Sequence, residues 1–249
     1  SQAGEIALRW FRNPDLAVET KSDASPVTLA DREIESYLVA RIREAYPEDG
    51  ILGEEHGEVR SQSGSRWIID PIDGTRSFAR GVPLFGTMLA LEIDGAYLVG
   101  VIHMPACGET VYAATGHGAW WRIDGRAAIP ARVSDVRSLD EAHLLCTSPK
   151  GFAKHGAEAA FRELLSRAEA TRTWGDCYAY ALVATGRAEI VVDPAMAIWD
   201  AAALIPILQE AGGAYTDWQG RARPDSGNGV GTNGWLHEEV LKILETNSR

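Results

Sequence analysis

Only three cysteines occur in 249 residues, and they stand far apart at Cys107, Cys146 and Cys177. An odd, scattered set fits neither a disulfide framework nor a C-x-x-C zinc site, so a reducing cytoplasm is the expected setting. No apolar run approaches the roughly 20 residues that cross a bilayer. No signal peptide is visible at residue 1, and no internal repeat or low-complexity segment breaks the chain. Positive charge is scarce as well: 24 Lys and Arg face 35 Asp and Glu, a formal net charge of -11. That balance argues against nucleic acid and anionic membranes as partners. It leaves room for an anionic small molecule, provided that metal ions supply the positive charge. What is present is ordinary: 45% hydrophobic and 24% charged residues, enough for a sizeable core.

The length suggests one large domain or two fused lobes, and the change of pattern described next divides it into residues 1–135 and 136–249. In the first half, Thr28-Leu29-Ala30-Asp31 reads as a helix start, with Ile34, Leu38 and Ile42 at helical spacing up to about Tyr46. A strand is expected at Arg66–Asp70. The runs Leu84–Ile93 and Ala96–Met104, joined by Asp94-Gly95, predict a hairpin that Glu109–Thr115 and Ala119–Ile123 continue. The second half alternates, which predicts an α/β lobe. Strands are expected at His143–Thr147, Ala188–Val192 and Ala214–Trp218. Helices are expected at about Ala157–Glu169, at Cys177–Thr185, from Trp199 to Gly212 with a bend at Pro206, and from about Leu236.

Acids stand at the ends of otherwise apolar elements: Glu54 in G-E-E, Asp70 and Asp73 in W-I-I-D-P-I-D-G-T, and Asp200 in W-D-A-A. Singly, Glu54 or Asp200 is as well explained by a turn, a cap or a solvated charge. D-P-I-D-G-T is not, because Asp70 follows a core strand, where an unpaired carboxylate is costly. Several hard oxygen donors suit Mg²⁺, which keeps part of its shell for water and phosphate. Two such ions could clamp the attacking and leaving oxygens of a phosphoryl transfer. Gly74 and Thr75, opening a helix, would offer backbone N–H groups to phosphate oxygens. Rival chemistries lack their marks. A covalent aspartyl phosphatase needs D-x-D, and a cysteine phosphatase needs Arg six residues after Cys, where this chain has Ala113, Phe152 and Val183. The histidines show no H-E-x-x-H spacing.

These motifs, with S-P-V-T-L-A-D at 25–31, resemble those of the inositol monophosphatase family of Mg²⁺-dependent, lithium-sensitive phosphatases, over essentially the whole chain. The resemblance implies a layered α/β/α/β/α fold of the α+β class, shared with fructose-1,6-bisphosphatases, and a homodimer. It implies two or three Mg²⁺ ions: the first on Glu54, Asp70 and the Ile72 carbonyl, the second on Asp70, Asp73 and Asp200, and a third on Glu54 and water. It also implies that Thr75 and Asp31 orient the attacking water, and Lys21 matches the family's early lysine.

Within the family, G-D-C-Y-A-Y at 175–180 and E-A-G-G-A-Y-T-D-W at 210–218 resemble the histidinol-phosphate phosphatase branch. Asp176 and Asp193 could pair with the substrate's ammonium or accept from its imidazole N–H. A neutral polyol would give such a carboxylate no cationic partner. Asp193 discriminates little, because inositol phosphatases also carry an acid there. Asp176 discriminates more, although it could equally cap the helix at Cys177. The expected reaction is therefore hydrolysis of histidinol phosphate. An inositol-1-phosphatase or a broader sugar phosphatase is the alternative, and a catalytically silent binding protein is disfavoured by the intact acids.

Overall fold

The computed structural model describes residues 1–20 and 26–246; Lys21 lies outside them. α1 (Gln2–Trp10), β1 (Val18–Thr20) and β2 (Pro26–Thr28) lead into α2 (Leu29–Ala45). Thr28 caps α2 as expected, and Asp31 reaches back to the Thr28 backbone to complete a capping box. β3 (Gly50–Gly53), β4 (Gly57–Val59), β5 (Ser65–Asp73), α3 (Thr75–Ala79), β6 (Gly86–Ile93), β7 (Ala96–Met104), β8 (Glu109–Ala114), β9 (Ala119–Ile123) and β10 (Ile129–Pro130) follow. The strands from β3 to β10 form one eight-stranded sheet, antiparallel except where β3 runs alongside β5.

After Pro130 the chain changes sheet. β11 (His143–Leu145), α4 (Pro149–Lys154), α5 (Glu158–Arg167), β12 (Ala170–Arg172), α6 (Asp176–Ala184), β13 (Ile190–Asp193), α7 (Ile198–Ala201), α8 (Leu204–Glu210), β14 (Ala214–Thr216), β15 (Gly229–Thr232) and α9 (His237–Thr246) follow. The five strands lie in the order β12-β11-β13-β15-β14. The helix expected from Trp199 to Gly212 is two helices, interrupted at Ala202–Ala203 rather than bent at Pro206. Pro206 has no N–H for the carbonyl four residues earlier, that of Ala202, and its ring crowds that carbonyl, so the break falls one turn upstream.

Alternation along the strands builds the layers. In β5, Ile68 joins a core with Tyr180, Leu204 and Leu208, whereas Ile69 packs with Ile42 and Ile51 on the other face. In β13, Val191 faces that same central core, and Ile190 and Val192 pack with Phe152, Phe161 and Val240. α6 and α8 thus fill the space between the sheets, α1 and α2 cover the large sheet, and α4, α5 and α9 cover the small one. The expected α/β/α/β/α layering results, each buried Ile or Phe contributing about 1.5–3 kcal/mol.

Candidate active site

The spacing of Asp70 and Asp73 poses a geometric difficulty. In a regular strand, side chains three residues apart point to opposite faces. Pro71 removes one ladder donor, and the pairing slips there: Asp70 lies opposite Met88, but Asp73 lies opposite Gly86. Three steps on β5 match two on β6, so one extra residue is absorbed and Asp73 returns to the face of Asp70. The Pro71 carbonyl, turned out of the ladder, accepts from Thr87 Oγ1 at 2.8 Å. Gly74 then turns the chain with φ 85° into α3, and any Cβ there would sit 2.9 Å from the Leu84 carbonyl oxygen.

α7 brings the third acid. Asp200 accepts from Ala197 N at 2.8 Å at the head of the helix. Carboxylate oxygens of Asp70, Asp73 and Asp200 lie within 4.8 Å of one another. Asp70 is 2% exposed, and its Oδ1 has no hydrogen-bond partner among the described residues. Burial, with Glu54, Asp73 and Asp200 close by, pushes the Asp70 carboxyl well above its usual range. Burial does the same to Asp73, reinforced by Asp176 and Asp200. It lifts Asp200 to about 6 against the Ala197 hydrogen bond. Three crowded carboxylates with an orphaned oxygen form a site short of a cation. Donors that are all hard oxygen fit a divalent metal such as Mg²⁺.

Glu54 enters at the end of β3, its N–H bonded to the Ile69 carbonyl. Its loop is held from below by Glu35, fully buried on α2, which accepts from Glu55 N and His56 N, both at 2.8 Å, and pairs with His56 Nδ1 at 3.0 Å. Sequence reasoning missed Glu35. Its signal was present, since it falls one helical turn after Asp31 among the apolar positions of α2. Asp31 is 1% exposed and takes both Thr28 N (2.8 Å) and Thr28 Oγ1 (2.6 Å). Burial raises it to about 7 against those two bonds, and Glu54 and Glu55 add to the rise.

Glu54 and Asp200 open onto a cleft of about 900 Å³ whose walls also include Gly74, Thr75, Arg76 and Asp176. Thr75 Oγ1 donates to the Ile72 carbonyl at 2.8 Å. Across the cleft, Asp73 accepts from Cys177 N at the start of α6. Asp176 does not cap that helix: it is the first helical residue, its side chain makes no cap bond, and its φ is 54°. Its carboxylate points at the Gly74 turn, with Oδ2 only 3.2 Å from where a Cβ on Gly74 would be. Burial, Asp193 and Asp200 raise Asp176 to about 7, with Arg76 opposing. Asp193 sits below the cleft, 3% exposed, accepting from Thr147 N (2.8 Å) and the Tyr180 hydroxyl (3.1 Å). The geometry therefore gathers Glu54, Asp70, Asp73, Thr75, Asp176 and Asp200 around one space and keeps Asp31, Glu35 and Asp193 beneath it.

Relatives share this chain from end to end. Histidinol-phosphatase of Chlorobaculum parvum is 43% identical over 249 residues, which cover 100% of this chain and 94% of that protein. Histidinol-phosphatase of Mycobacterium tuberculosis is 41% identical over 243 residues, covering 98% and 94%. Among solved structures, an inositol monophosphatase from Zymomonas mobilis superposes with a TM-score of 0.84 at 36% identity, covering 98% of this chain and 93% of that one. The inositol monophosphatase family model matches residues 1–249. With the bulged D-P-I-D turn, the clustered acids and this likeness along its whole length, the chain belongs to the inositol monophosphatase family.

Proposed function

We propose that the protein is a Mg²⁺-dependent phosphomonoesterase that hydrolyses L-histidinol phosphate to L-histidinol and phosphate. The observation that carries the substrate is the place of Asp176 beside the Gly74 turn. In histidinol phosphate the ammonium is only two carbons from the ester oxygen. A carboxylate that recognises it must therefore stand next to the phosphate turn, as Asp176 does. Inositol phosphate offers only neutral hydroxyls there, and a half-buried carboxylate facing them keeps its desolvation cost without a cationic partner. The names of the two relatives support the same substrate.

In this reading Asp70, Asp73, Asp200, Glu54 and the Ile72 carbonyl hold two ions, a third rests on Glu54 and water, and lithium inhibits by competing there. Bound metal supplies positive charge for the phosphate and lowers the pKa of the attacking water. The chain's own groups do the positioning. Gly74 and Thr75 present backbone N–H groups to phosphate oxygens. The Thr75 hydroxyl gives its hydrogen to the Ile72 carbonyl, which keeps its lone pairs available to accept from water. Asp31, held by Thr28, fixes the end of α2 beside Glu54 and orients that water with Thr75. Asp73, anchored by Cys177 N, joins the metal side of the cleft to the helix that carries Asp176. A cytosolic homodimer goes with the family resemblance; sedimentation at twice 27.0 kDa supports it, and sedimentation at 27.0 kDa sinks it. Among the described residues, no helix is long and apolar enough to cross a membrane.

The test is phosphate release, with and without Mg²⁺, from histidinol phosphate, inositol 1-phosphate and 4-nitrophenyl phosphate. Histidinol phosphate is expected to give the highest kcat/KM, and only with metal. Asp176→Asn is expected to lower that kcat/KM by about tenfold or more, the size of one charge-assisted hydrogen bond, with a smaller loss on 4-nitrophenyl phosphate. A preference for inositol 1-phosphate overturns the substrate; turnover without metal overturns the metal.

A further inference from the structure

Asp176 holds an unusual backbone conformation, and a ring of three residues, Thr147, Asp193 and Tyr180, holds it there. Its φ of 54° is in the left-handed region, which Asp tolerates but does not favour. Its N–H donates to Thr147 Oγ1 at 2.9 Å. The residue before it has no side chain for the same reason: a Cβ on Gly175 would lie 2.3 Å from Thr147 Cα. Thr147, just past the end of β11, is itself fixed by its N–H on Asp193 Oδ1 at 2.8 Å. The other Asp193 oxygen accepts from the Tyr180 hydroxyl at 3.1 Å. Tyr180 lies one turn along α6 from Asp176, so the hydrogen bonds close a ring that begins and ends on the same helix. Asp193 and Tyr180 are 3% and 1% exposed, which makes the back of this ring rigid.

We propose that Thr147 is a positioning residue that sets the preference for an ammonium-bearing phosphate ester by aiming Asp176. The role rests on the histidinol-phosphate reading above. Asp193 has both carboxylate oxygens engaged inside the protein, whereas Asp176 faces the cleft. Thr147 touches both, through its N–H on one side and its hydroxyl on the other. Without the hydroxyl, the Asp176 N–H loses its acceptor and the left-handed backbone loses its anchor. The carboxylate then leaves the Gly74 turn, while Asp70, Asp73 and Asp200 remain where β5 and α7 place them.

Thr147→Val keeps the branched shape and removes the hydroxyl; Thr147→Ser keeps the hydroxyl. With saturating Mg²⁺, Val is expected to raise KM for histidinol phosphate about tenfold, the scale of one charge-assisted contact. The change in kcat and the effect on 4-nitrophenyl phosphate are both expected to be several-fold smaller, as loss of a binding contact requires. Ser is expected to restore most of the wild-type KM. Adding Asp176→Asn to Thr147→Val is expected to cost little more than either alone, because both act through one contact. Equal losses on both esters overturn the positioning role, as does a Val variant that keeps the discrimination lost in Asp176→Asn. A wild-type enzyme with no preference for histidinol phosphate over inositol 1-phosphate instead overturns the substrate reading, and this role with it. If the Val variant does not fold, the contrast of Thr147→Ala with Thr147→Ser decides the matter in the same way.

Discussion

Asp70 and Asp217 are both buried aspartates, 2% and 0% exposed, yet their surroundings are opposite. Asp217 is saturated. One oxygen accepts from Gln219 N and Arg221 N, both at 2.9 Å, and the other from Arg221 Nε at 2.7 Å and Ser226 Oγ at 2.8 Å. Burial pushes its pKa up, but these bonds outweigh burial and hold it below the usual carboxylate value. Asp70 has an oxygen with no partner among the described residues, three acids nearby, and a pKa driven upward. A saturated buried acid is a fastener; here it shapes the loop before β15, whose Gly227 carbonyl takes the Met196 N–H at the rim of the cleft. An unsaturated buried acid costs stability and persists where something outside the chain completes it.

The sharpest way to break this comparison is to neutralise each acid in turn. On the proposed function Asp70→Asn removes a ligand shared by two ions, so phosphatase activity is expected to fall on the order of a thousandfold on every ester, several kcal/mol of lost transition-state stabilisation. The metal-free protein is expected to melt no lower than wild type, because one repulsive charge is gone. A lower melting temperature with unchanged Mg²⁺ affinity would make Asp70 a fastener like Asp217. Asp217→Asn is expected to do the reverse. Asn has one acceptor oxygen where Asp217 uses two, so an NH2 faces donors and their charge-assisted bonds are lost, a cost of about 1.5–3 kcal/mol, or roughly 5–10 °C in a chain of this size. Calorimetric Mg²⁺ affinity is expected to stay near wild type. A large loss of Mg²⁺ affinity without a drop in melting temperature would erase the distinction.

The same contrast explains which parts could be read from the chain. The half with the clustered acids is local: D-P-I-D-G-T carries its own bulge, turn and two of the three acids within a few residues, and T-L-A-D carries its own cap. The Asp94-Gly95 hairpin was legible for the same reason. The other half is assembled across long separations. Thr147 meets partners 29 and 46 residues away, and Asp73 meets Cys177 at a distance of 104. β15 escaped notice because Gly229-Val230-Gly231-Thr232 is short, half glycine and preceded by a polar loop. It becomes a strand because β13 and β14 pair with it on both sides. Likewise, nothing near Asp193 in sequence says that its oxygens are already engaged; Thr147 and Tyr180 decide that in three dimensions.

The smallest expected effect concerns pH, and it tests whether the unsaturated acids act as a group. Asp31 and Asp176 are raised to about 7 and Asp200 to about 6, in each case chiefly by burial, from an ordinary value of 3.8. Below 3.8 the folded and unfolded chains are both protonated at these groups, which then contribute nothing to the pH slope. From there to about 7 the unfolded chain has released protons that the folded chain still holds. Stability of the metal-free protein therefore falls as pH rises through that window, and flattens above it. Bound metal is expected to invert the preference, because it favours the ionised carboxylates. Melting temperatures at pH 5 and pH 8, in chelator and in excess Mg²⁺, are expected to show metal stabilisation of a few degrees that is larger at pH 8. A metal increment that is equal at the two pH values would mean that these carboxylates are not completed by the ion, and the contrast with Asp217 would lose its basis.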